Sequence, residues 1–127
     1  MNGVTYDTGA LVGADHNDRR MWALHAGFLA EEIAPSVPAP VLAEAWRGGS
    51  RQASLSRFLR LCAIEPMGDQ QAKAVGVLAG RADHDDIVDV CVVEGAIRRR
   101  DVIVTSHHTH IVKIAHAVRA KLTIEEV

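Results

Sequence analysis

The chain has 127 residues, 48% of them apolar and 24% charged, with a formal net charge of −2. That length suits one compact unit with a buried core, and the composition excludes a disordered or low-complexity chain. The near balance of charge excludes a global attraction for nucleic acid, and no run approaches the roughly 20 apolar residues of a membrane span.

The opening residues lack the basic and long apolar regions of a signal peptide, so a soluble, cytoplasmic protein with no membrane partner is expected. No repeat or linker divides the sequence, which predicts a single domain over 1–127. Cys62 and Cys91 lie in apolar stretches without a C-x-x-C pairing and read as buried free thiols.

Residues 3–7 (GVTYD) predict a short strand, closed by the turn-friendly Thr8 and Gly9. Over 17–33, Trp22, Leu24, Phe28, Leu29 and Ile33 fit a helix. Pro35, Pro38 and Pro40 break it and force an extended path into the next element. Residues 41–47 predict a helix stopped by Gly48 and Gly49, after which Ser50 is placed to cap a helix carrying Leu55, Phe58, Leu59 and Cys62. A strand over 63–66 follows, then a helix capped by Asp69 and running through Val75 and Leu78 to Gly80.

Residues 87–97 are strongly β-branched, and propensity alone would make them a strand. Their length, the Asp85–Asp86 start and the Arg98–Arg100 finish instead predict a buried helix with ends matched to its dipole. A strand over 102–105, a helix over 109–120 and a strand over 122–125 complete the chain. Strands alternating with helices predict a three-layer α/β/α fold around a central, mostly parallel sheet. Ligands of such sheets collect beyond the carboxyl ends of the strands, an edge that Asp7 and His107 would share.

Three acids interrupt apolar sequence: Asp7 in VTYDTGAL, Glu44 in VLAEAW and Asp89 in IVDVCVV. A buried carboxylate requires a cation, a set of hydrogen bonds or an exit to solvent. If the three converge, divalent ions would relieve their repulsion, and hard oxygen ligands suit Mg²⁺ or Mn²⁺. Taken singly, each acid is also explained as a turn cap or a solvated helix residue. Asp86 lies three residues before Asp89, where it serves either as an accessory ligand or as the helix N-cap. Arginines cluster at Arg47, Arg51, Arg57 and Arg60 and again at Arg98, Arg99 and Arg100, a basic track beside the acids. The histidine run 107–110 has no adjacent thiol and reads as surface or substrate-facing rather than as a zinc site, while His16, His25, His84 and His116 look unremarkable.

In order along the chain, YDTGALVGAD, APVLAEAWRGG, DDIVDVCVV and DVIVTSHHTHI resemble the four motifs of PIN domains, and the length resembles that of VapC-type toxins. The resemblance implies a PIN fold and a metal-dependent endoribonuclease using Mg²⁺ or Mn²⁺. Asp7, Glu44 and Asp89 would be its catalytic acids, with His107 and Asp86 as further metal ligands. Thr8, Thr105, Ser106 and His110 would support them, and Arg47, Arg51, Arg98 and Arg99 would contact the RNA backbone. It also implies a small cognate antitoxin and a homodimer. The chain departs from the family at His107, where an aspartate or asparagine is usual, and at His110, where a further aspartate often stands. Those departures leave open a binding module that keeps the fold and has weakened catalysis.

Overall fold

The computed structural model describes residues 3–106 and 108–127. Among them, the strands β1 (Val4–Tyr6), β2 (Ser36–Pro38), β3 (Ala63–Glu65), β4 (Val102–Thr105) and β5 (Ile124–Glu126) form one sheet in the order β3-β2-β1-β4-β5. Every neighbouring pair is parallel. The sheet is parallel throughout, with Thr5 in register with Ser36 on one side and Ile103 on the other. β1 is therefore central, and Val4, Thr5 and Tyr6 are all buried, as expected of a strand covered on both faces.

The helices are α1 (Thr8–Asp15), α2 (Arg19–Ala30), α3 (Ala39–Ala45), α4 (Ala53–Leu59), α5 (Asp69–Ala82), α6 (Ile87–Arg99) and α7 (His108–Ala117). Alternation along β1 assigns them to layers. Tyr6 meets His25 and Phe28 of α2 and Phe58 of α4, whereas Thr5 meets Arg99 of α6 on the other face. α5 and α7 pack on α6, and α3, which starts at the carboxyl end of β2, touches both α1 and α6.

α6 forms as its end charges predict. The Asp86 carboxylate accepts from the backbone N–H groups of Val88 (3.0 Å) and Asp89 (3.3 Å), and the helix stops where Arg100 turns left-handed. Burial of Val90, Cys91, Val92, Val93 and Ala96 supplies the packing that overrides their strand propensity. Two expected caps differ. Ser50 opens a short 3-10 turn without a side-chain cap, and Gly68 occupies the N-cap of α5. Asp69 is the first residue of α5 and pairs with Lys73 at 3.4 Å.

Two elements escape the sequence reading. Residues 8–15 form α1 rather than a turn, because the Asp7 carboxylate caps it through the backbone N–H of Ala10 (3.0 Å). The Pro-rich segment carries β2, a three-residue strand between β1 and β3.

Both cysteines are free, and burial pushes the thiols up, Cys62 to about 12 and Cys91 to about 11, the latter helped by Glu94 and Glu65 against Arg99 and Arg98. Behind β1, Tyr6 hydrogen-bonds Nδ1 of His25 at 2.8 Å, and the imidazole stacks on Phe58 with ring centroids 3.8 Å apart. Burial lowers the His25 pKa, opposed in part by a hydrogen bond with the Phe58 backbone. His25 therefore contributes stability that is complete above the unfolded imidazole value and is lost as pH falls below it. Tyr6→Phe leaves the ring stack but strips His25 of its hydroxyl partner. Urea denaturation should show a loss of about 1–2 kcal/mol for that variant.

Candidate active site

The fold brings the predicted acids to the carboxyl edge of the sheet. Asp7 follows the last residue of β1 and, by alternation, turns to the same face as Thr5. Thr105 ends β4 two residues after Ile103, so it lies on that face too, and its hydroxyl donates to Oδ2 of Asp7 in a short, buried hydrogen bond. Asp7 therefore joins β1, β4 and α1. It is only 3% exposed, a carboxylate held away from water.

Glu44 stands on the exposed side of α3, where its Oε1 accepts from the Thr8 hydroxyl at 2.6 Å. Asp89 sits in the first turn of α6, 8% exposed, on the helix that covers the Asp7 face. Its Oδ2 is approached by Nε2 of His84 (3.3 Å) and Nδ1 of His110 (3.2 Å). Among the described residues, the group of three whose ligand atoms all lie within 4.8 Å of one another is His84, Asp89 and His110, not Asp7, Glu44 and Asp89.

The supporting residues divide. Thr8 and Thr105 bond the expected carboxylates. Ser106 is exposed beside Gly9, so tightly that a Cβ on Gly9 would lie 1.8 Å from Ser106 Oγ and 2.8 Å from its Cβ. Gly9→Ala must therefore push Ser106 away from α1, costing about 1–3 kcal/mol. Gly9→Ala combined with Ser106→Gly should recover most of that loss in thermal denaturation.

His107 lies outside the described residues. Asp86, weighed as an accessory ligand or as a helix N-cap, takes the N-cap position of α6. Arg98 and Arg99 do not present free guanidinium groups to a phosphate. Arg98 pairs with Glu65 (2.7 Å) and Glu94 (2.9 Å), and Arg99 pairs with Glu65 and Asp101. Arg99 is half-buried over its acids, while Arg98 stays at the surface and pairs with Glu65 and Glu94 from there. Arg47 is exposed, with Nη1 donating to the carbonyls of Ala43 (3.2 Å) and Trp46 (2.8 Å), and Arg51 is exposed nearby.

His84 is the site residue that sequence reasoning missed. Left-handed Asp83 (φ 49°) ends α5, and the His84 N–H caps the helix on Ala79 at 3.1 Å. That turn aims the imidazole at Asp89. Five residues separate the two, a spacing with no regular-structure signature.

A five-stranded, all-parallel sheet with helices on both faces defines a PIN-like fold. The solved structures agree. A chain of VapBC2 from Rickettsia felis, bound to a DNA fragment from their promoter, matches with a TM-score of 0.72 and 18% identity over 98% of each chain. A chain of FitAB bound to an IR36 DNA fragment matches with a TM-score of 0.67 and 12% identity, over 97% of this chain and 94% of that one. At such identities the likeness is one of fold. No family model and no curated protein matches the sequence.

Proposed function

We propose that the chain is a metal-dependent endoribonuclease, a hydrolase of RNA phosphodiester bonds, acting as the toxin of a VapBC-type pair. The observation that carries this reading is the placement of Asp7, Glu44 and Asp89 at the carboxyl edge of a PIN-like sheet, two of them buried where a charge is costly. Their oxygens, with two lone pairs each, can accept the hydrogen bonds described and still offer a lone pair to a hard cation. Mg²⁺ or Mn²⁺ held there would supply the Lewis-acid chemistry that makes water a nucleophile at neutral pH.

Around that ion the chain's own groups hold and orient. Thr105 and the Ala10 N–H fix Asp7, and Thr8 fixes Glu44. Arg47 and Arg51 remain the candidates for RNA backbone contacts, which position a strand without reading its sequence. His107 remains a candidate ligand. Residues 1–127 act as one PIN domain in this reading, in the cytoplasm, where RNA is at hand. Among the described residues, no helix is long and apolar enough to cross a membrane. The likeness to VapBC2, solved on a DNA fragment from their promoter, and to FitAB, solved on an IR36 DNA fragment, supports the small cognate antitoxin that a VapBC-type pair implies; a homodimer is the expected assembly.

The test is cleavage of a structured RNA pool in Mg²⁺, Mn²⁺ or EDTA by antitoxin-free protein, with Asp89→Asn as control. Metal-dependent cutting that the variant loses is the expected result. Folded protein that cuts with neither ion would favour the RNA- or protein-binding module, a reading that the imidazoles on Asp89 already support.

A further inference from the structure

We propose that His84, Asp89 and His110 form a binding site for a borderline transition-metal dication, Zn²⁺ above all, distinct in chemistry from an all-oxygen site. The inference rests on the geometry of these three side chains and stands whether or not the chain cuts RNA.

The distances fit a coordination polyhedron. With bonds of about 2.0 Å, neighbouring ligand atoms of a tetrahedral zinc site lie about 3.3 Å apart. The two edges that meet at Asp89 Oδ2 measure 3.3 Å to His84 Nε2 and 3.2 Å to His110 Nδ1. All three ligand atoms lie within 4.8 Å of one another, so one ion can reach them together. As hydrogen bonds the same distances lie at or just past the long end of the usual range of about 2.7–3.2 Å.

The donor set selects the ion. Two imidazoles and one carboxylate suit zinc, cobalt or nickel, whereas Mg²⁺ prefers oxygen throughout. The ligands come from separate elements that hold them before an ion arrives: the turn after α5, the first turn of α6 and the first turn of α7. The His84 and Asp89 side chains are 10% and 11% exposed, while His110 is 57% exposed. The site is thus walled on two sides and open on the third. Three protein ligands leave a fourth position for water or a phosphate oxygen, the pattern of an open rather than a structural zinc site. Asp89 also belongs to the acid set of the proposed nuclease, so an ion on the imidazoles engages one of its carboxylates.

The experiment is a metal titration of the metal-free full chain in excess Mg²⁺, with Zn²⁺ followed by calorimetry and Co²⁺ by its visible absorption. One equivalent should bind, with cobalt bands of a nitrogen- and oxygen-ligated ion. His84→Ala and His110→Ala should each weaken binding at least about 100-fold, since loss of a mere outer partner already costs about 10–100-fold. His110 is exposed, so that variant keeps the test alive should His84→Ala unfold. Asp7→Asn should leave binding intact. No binding above the Mg²⁺ background overturns the proposal. So does binding that both histidine variants retain, or that only His108→Ala removes, because the ion then sits elsewhere.

Discussion

Asp7→Asn protein should fold with stability within about 1 kcal/mol of the parent and cut RNA at least about 100-fold more slowly. The two halves of that expectation come from the two jobs of one side chain. As the N-cap of α1, Asp7 accepts from the Ala10 N–H at 3.0 Å, and asparagine caps a helix about as well as aspartate. On its other side it accepts from the Thr105 hydroxyl. An asparagine amide turned that way donates instead, and a hydroxyl rotates to accept, so the buried contact survives with its polarity reversed. What does not survive is the negative charge at the end of β1. Asp7→Ala is the contrasting variant. It loses the cap as well, which costs about 0.5–2 kcal/mol, and confounds activity with folding. Circular dichroism and urea denaturation beside single-turnover cleavage separate the two effects. Unchanged cleavage by well-folded Asp7→Asn would remove the carboxylate mechanism.

Much of this site is legible in the sequence because its acids interrupt apolar segments. Asp7 and Asp89 stand out from VTYDTGAL and IVDVCVV since burial of a carboxylate demands a reason, and both are buried. The helical state of α6 is legible from charge at its ends, although its interior favours a strand. α1 is not legible in the same way. It packs among β4, α2, α3 and α4, so it lacks a polar stripe, and the Thr8–Gly9 pair imitates a turn. β2 hides for the opposite reason: three residues, one of them proline, carry no alternation worth reading.

The rest was illegible because it is tertiary. Nothing local announces that Asp83 turns left-handed and swings His84 toward Asp89, or that His110 reaches the same oxygen from α7. The 107–110 run has no adjacent thiol, and His110 finds its companions on two other segments. The consecutive arginines failed similarly. A basic run at a helix end reads as a solvated or phosphate-binding patch, and only the packed structure shows Glu65 and Asp101 waiting beneath it.

Arg99→Ala should therefore destabilise the fold by about 3–5 kcal/mol, the usual cost of removing one member of a buried ion pair. The Arg99 side chain is 21% exposed and Asp101 only 4%. Its guanidinium reaches Thr5 of β1 (2.9 Å), Glu65 of β3 and Asp101 ahead of β4, tying three segments to α6. Without it Asp101 keeps the neutral Thr5 hydroxyl, which donates to it at 2.7 Å. Arg99→Lys should recover a fraction, because a single ammonium cannot span the same acceptors as the planar fork. Arg98 is 45% exposed, so Arg98→Ala should cost far less. The acid limb adds a second readout. Burial raises the Glu65 pKa, but hydrogen bonds from Arg98 and Arg99, the Arg99 charge and Gln71 together pull it down to about 2. A depressed carboxyl contributes stability that is present above its unfolded value and lost as pH falls toward the folded one. The parent should therefore weaken as pH drops from about 4.5 toward 2. Arg99→Ala raises the Glu65 pKa toward its unfolded value and shortens that window, so the two stability curves should converge in acid. Parallel curves, or a variant that loses RNA affinity with stability intact, would mean that this guanidinium faces a phosphate after all.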